Sequence, residues 1–74
     1  MEEKILNLLE DIDDEILSYE GDNLFDAGLL DSFTVIDLVI ELEEAFNMTI
    51  NADYVVEENF KTKESIIALV KSLL

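Results

Sequence analysis

The chain has 74 residues, 19 of them Asp or Glu against 4 Lys, and a formal net charge of −15. It contains no His, Cys, Trp, Pro or Arg, which excludes an imidazole base, a cysteine nucleophile, a disulfide staple and a thiolate zinc site within the chain. Repulsion of phosphate excludes nucleic acid as a partner and disfavours anionic membrane surfaces.

Half of the residues are apolar, too many for a disordered acidic tail. The length fits one small domain, expected to span residues 1–74, with a thin stability margin that self-repulsion narrows further. The opening Met1-Glu2-Glu3-Lys4 is not the cationic start of a secretory signal. The longest apolar run, Ile66 to Val70, is too short to cross a bilayer. A cytoplasmic location without membrane insertion is therefore the expectation.

The first apolar set is Ile5, Leu6, Leu8, Leu9, Ile12, Ile16 and Leu17. At about 100° per residue these positions share one half of a helical wheel, which predicts an amphipathic helix over residues 2–18. Residues 19–31 break that pattern. Gly21 and Gly28 permit positive φ, and Asp22, Asn23 and Asp26 favour turns. Leu24, Phe25, Leu29 and Leu30 should pin this long connection to the core.

Helical periodicity resumes at Ser32 and continues to about Phe46, with Asp31 suited to cap the first turn and Asn47 to stop the last. Residues 52–58 suit either a strand or a short helix capped by Asn51; a lone strand has no partner, so the helix is expected. Thr62 should cap a final helix whose core stripe is Ile66, Leu69, Val70 and Leu73. The fold class is all-α, a small four-helix bundle of three main helices and one short one, with a long first loop.

The second main helix carries two apolar arcs. With Ser32 at zero on its wheel, Leu38, Leu42, Val35, Phe46 and Val39 fall between about 240° and 340°, which suffices as a core face. Phe33, Ile36 and Ile40 fall between about 40° and 100°, flanked by Glu43, Glu44 and Asp37. A bundle this small can rarely surround one helix, so Ile36 and Ile40 are expected to be exposed. Phe33, beside the pinned loop, is left open between burial and exposure. An apolar strip rimmed by acids suits docking of a basic partner.

The helix is approached through Gly28-Leu29-Leu30-Asp31-Ser32-Phe33. An Asp-Ser pair at the start of the second main helix of a small acidic bundle resembles the phosphopantetheine-attachment site of acyl and peptidyl carrier proteins. The run from Leu24 to Phe33 looks most like the D-alanyl carrier proteins of Gram-positive bacteria. It departs from them at Thr34, where that type has Gly.

The resemblance implies that Ser32 receives 4'-phosphopantetheine from coenzyme A through a phosphopantetheinyl transferase. It also implies that an adenylating ligase of the D-alanine type loads the arm for cell-wall modification. A fatty-acid, polyketide or peptide carrier, served by other acyl-transfer enzymes, is the alternative cargo class. The chain would then be a monomeric carrier and no enzyme, its chemistry supplied by the cofactor. Asp31, Ile36, Asp37, Ile40, Glu43 and Glu44 would meet its partners.

Ser32 and Asp31 also have plain structural readings, as a common first-turn residue and a helix cap. The rival from another class is an unmodified acidic interaction module using the same strip. Asp11, Asp13, Asp14 and Glu15 lack the Gly and the closing Glu of a calcium loop, so no metal site is expected.

Overall fold

The structure is a computed structural model that describes residues 2–74; Met1, the first residue of the expected domain, lies outside the described residues. Its helices in chain order are α1 (Glu2–Ile12), α2 (Glu15–Ser18), α3 (Ser32–Phe46), α4 (Glu57–Phe60) and α5 (Lys63–Leu73), with a 3₁₀ turn at Ala52–Tyr54 before α4. Among the described residues there is no strand and no helix long and apolar enough to cross a membrane.

The three long helices match the expected pattern, and their apolar faces meet in one core. Ile5 and Leu9 come from α1, Val35, Leu38 and Leu42 from α3, and Ile66, Leu69 and Val70 from α5. Ile16, Ile50 and Phe60 close the gaps between these elements. The long first loop is pinned as its composition implied: Leu24 and Leu30 are buried, while Phe25 and Leu29 pack partly against the core. α1 lies against α3 and α5, and α4 lies against α5.

Two boundaries differ from expectation. The single helix expected over residues 2–18 is interrupted at Asp13 and Asp14, so the acids read there as helical in fact lie at a turn. The Asp13 carboxylate accepts the Glu15 N–H at 3.0 Å, and such a local bond competes with the continuing helical ladder. Residues 52–58 do not form one short helix. Asn51 does cap, accepting the Asp53 N–H at 2.9 Å, but only the 3₁₀ turn follows. The β-branched Val56 is then extended (φ −128°, ψ 153°) before α4 starts.

Helix ends are well specified. Thr62 accepts the Ser65 N–H at 3.0 Å at the start of α5. Asn47 ends α3 in the left-handed region (φ 50°), a conformation that Asn tolerates better than most residues.

Candidate functional site

The chain that leads into α3 is held from both sides. Leu24 donates its N–H to the Lys61 carbonyl at 2.6 Å, and Leu29 and Leu30 both donate back to the Leu24 carbonyl. Gly28, at φ +78°, supplies the left-handed turn between them. Asn23 knots the start of this loop. Its Oδ1 accepts the Phe25 N–H at 2.9 Å, while its Nδ2 donates to Glu57 Oε2 at 2.9 Å. The Tyr19 hydroxyl donates to the Asn23 carbonyl at 2.8 Å and accepts the Asn23 N–H. The first loop is thereby fastened to α4, across a separation of 34 residues.

Asp31 caps α3 from an extended conformation. Its Oδ1 accepts the Phe33 N–H at 3.0 Å, the Thr34 N–H at 2.9 Å and the Thr34 hydroxyl at 3.0 Å. These bonds, the Thr34 N–H first and its hydroxyl next, hold the Asp31 carboxyl below its ordinary pKa. Ser32 follows as the first residue of the helix and is exposed. With Asp31 taking the cap, no hydrogen bond engages the Ser32 hydroxyl among the described residues, and the residue is open to solvent.

Ser32 lines a groove of about 260 Å³ whose other walls are Phe25, Val35, Ile36, Val55, Val56 and Glu57. The groove thus draws on the first loop, α3 and the approach to α4. An exposed free hydroxyl beside a narrow, mainly apolar trough fits a covalent phosphopantetheine arm, which needs an attachment oxygen and a surface for its methyl-bearing stem. Phosphate recognition by free N–H groups is more limited than the bare helix end suggests. Two of those N–H groups already bond Asp31, which leaves the helix macrodipole as the main attraction for an anion.

The outer face of α3 is as expected at its two isoleucines: Ile36 is 53% and Ile40 47% exposed. Phe33 is 81% exposed, which settles the question left open by the wheel. Asp37 and Glu44 are exposed beside them. Glu43 differs in being partly covered, and its Oε2 accepts the N–H of buried Ile50 at 2.8 Å. It therefore tethers the α3–α4 connection whatever else it does.

Sequence reasoning missed the Asn23–Glu57 link, the groove walls at Val55 and Val56, and the hydroxyl bond of Thr34. Only the last had a local signal, a hydroxyl residue three positions after an Asp cap. The link joins residues whose types carry no mark of each other.

Residues 3–70 match the family described as phosphopantetheine attachment site. The chain is 39% identical to a D-alanyl carrier protein of Streptococcus suis, over 100% of this chain and 95% of that protein. It is 36% identical to one of Listeria monocytogenes, over 96% and 94%, and 37% identical to one of Abiotrophia defectiva, over 96% and 92%. With a helical bundle, a free first-turn serine and this coverage, the chain belongs to the carrier proteins that bear covalent 4'-phosphopantetheine, in the group of the D-alanyl carrier proteins.

Proposed function

We propose that Ser32 is the attachment residue, that the cargo is D-alanine, and that residues 1–74 act as a single monomeric carrier domain in the cytoplasm, for modification of cell-wall teichoic acid. The observation that carries the reading is the free, exposed Ser32 hydroxyl at a helix start whose cap is already provided by Asp31. Its attack forms an oxygen–phosphorus bond and breaks the pyrophosphate of coenzyme A. The serine proton passes to the transferase, and the adenosine-bearing half departs. The resulting phosphodiester sits at the positive end of α3, worth about 0.3–1 kcal/mol at an exposed site. The cofactor, when bound, supplies a thiol that holds cargo as a thioester.

The chain's own residues hold and present the arm and catalyse nothing. Asp31, Ile36, Asp37, Ile40 and Glu44 would meet a phosphopantetheinyl transferase and an adenylating ligase of the D-alanine type, with Glu43 at the edge of that face. The D-alanyl carrier relatives support the cargo, because the similarity extends along the whole chain.

The test is a mass measurement after incubation with coenzyme A, magnesium and a broad-specificity phosphopantetheinyl transferase. One added phosphopantetheine is expected on the wild type and none on Ser32→Ala. A folded wild-type chain of unchanged mass would overturn the attachment site and favour an unmodified interaction module. The holo protein, offered D-alanine and a D-alanine-adenylating ligase, should gain one alanyl group. Charging with malonyl and not with D-alanine would move the cargo to the fatty-acid or polyketide class.

A further inference from the structure

At the cap of α3 several donors converge on one atom. Three hydrogen bonds, from Phe33 N–H, Thr34 N–H and Thr34 Oγ1–H, all end on Asp31 Oδ1. The two N–H bonds are of the kind a capping Asp makes to the first turn. The third is contributed by the side chain of Thr34 alone, at 3.0 Å.

An ionised carboxylate has about four acceptor sites over its two oxygens, so three donors on Oδ1 fix the group's rotation about its last bond. Oδ2 has no hydrogen-bond partner among the described residues. The carboxylate is therefore held in one orientation against the first turn of α3. Ser32 is the adjacent residue, and its hydroxyl is the nearest side-chain donor in sequence. Short polar side chains at helix starts readily form such local bonds. With the carboxylate held in this rotation, neither of its oxygens bonds the Ser32 hydroxyl among the described residues.

We propose that Thr34 is a positioning residue for modification of Ser32. Its hydroxyl locks the Asp31 carboxylate onto the end of α3, and this keeps the Ser32 hydroxyl free and the first turn fixed. The inference rests on Ser32 as the attachment residue. It assigns Thr34 no contact with coenzyme A and no part in proton transfer.

The experiment measures the second-order rate of phosphopantetheine transfer from coenzyme A, by mass, for the full chain and its variants. Thr34→Val keeps the shape and removes the hydroxyl. Thr34→Ala also removes it while favouring the helix, which guards against a loss of fold. Thr34→Ser retains the donor. Val and Ala variants should be slower by about two- to tenfold, the scale of one net hydrogen bond, and the Ser variant should stay within about twofold of wild type.

In an Asp31→Ala background the Thr34→Val change should add nothing, because the group it acts through is gone. A cost that persists there would show that Thr34 acts independently of Asp31 and would overturn the inference. Wild-type rates for both Val and Ala variants, or equal slowing by Ser, would overturn the inference while leaving Ser32 as the attachment residue. A wild type that takes no phosphopantetheine would remove both readings together.

Discussion

Asp31 joins two demands that pull in opposite directions. As a cap it satisfies N–H groups that α3 would otherwise leave unpaired. As an anion it stands next to the residue proposed to carry a phosphodiester, and like charges repel. The three donors on Oδ1 stabilise the charged form and hold its pKa below the ordinary value. The sign of the stability effect follows from linkage. A carboxyl depressed in the folded state contributes fully above its unfolded pKa and loses that contribution as pH falls through the folded pKa. Acid also relieves repulsion among the other carboxylates, so the wild-type curve alone mixes the two effects. The difference between wild type and Asp31→Ala isolates the cap. Urea midpoints measured from pH 7 down to strong acid should show wild type the more stable at neutral pH. The gap should shrink below the usual aspartate range. A gap that stays constant through acid would show that the cap does not depend on the carboxylate charge.

At the scale of the element, α3 works as a two-sided part. Val35, Leu38 and Leu42 are buried, while Phe33, Ile36 and Ile40 face out on the other arc. The acids around this outer arc are not equivalent. Asp37 and Glu44 are exposed, whereas Glu43 holds the Ile50 N–H. Asp37→Lys and Glu44→Lys should therefore slow loading by basic partner enzymes several-fold at low salt and leave the urea midpoint nearly unchanged. Glu43→Lys should slow loading and also lower the midpoint, because it leaves a donor on buried Ile50 without its acceptor. Equal rates for Asp37→Lys and wild type at low ionic strength would remove the outer face from partner recognition. This element was legible in the sequence because its signals are local: an Asp cap, a 3.6-residue apolar repeat, and Asn47 at the stop. The break between α1 and α2 was not. Ile12 and Ile16 keep a helical spacing across it, so the apolar pattern carries no trace of the turn that Asp13 makes. The groove beside Ser32 was equally hidden, because it is assembled from Phe25, Val35 and Val56, which only the tertiary fold brings together. Free Ser32 was visible as a residue, but its unpaired hydroxyl depends on which groups Asp31 selects.

For the whole molecule, three of the four lysines fasten one element to another. Lys4 Nζ donates to the Ala45 carbonyl at 2.7 Å and lies 5.1 Å from the centre of the Phe46 ring, which ties α1 to the end of α3. Lys63 Nζ donates to the Leu17 carbonyl and ties α5 to the end of α2. Lys71 pairs with Glu2 at 2.9 Å and ties α5 to the start of α1. Lys4 and Lys71 remain exposed, but against 19 acids they leave the surface strongly acidic, which suits the proposed recruitment of basic partners. The cost is self-repulsion across a chain of net charge −15. Salt acts on both consequences at once. Raising ionic strength from about 0.01 to 0.15 M shortens the screening length from about 30 to 8 Å, against extents of 29 × 25 × 19 Å for the fold. Repulsion between acids on opposite sides is then largely screened. The exposed ion pair Glu2–Lys71 is weakened by the same salt, but such a surface pair contributes little. The balance favours a rise in Tm of several degrees, since a gain of 1 kcal/mol moves a domain of this size by about 4–8 °C. Loading by partner enzymes should fall over the same titration, because steering between opposite charges is screened too. Thermal melts and loading rates in one salt series should therefore move in opposite directions. A Tm that does not rise would show that the fold already accommodates its charge. A loading rate that does not fall would show that recognition rests on the apolar strip of Phe33, Ile36 and Ile40 rather than on the acids around it.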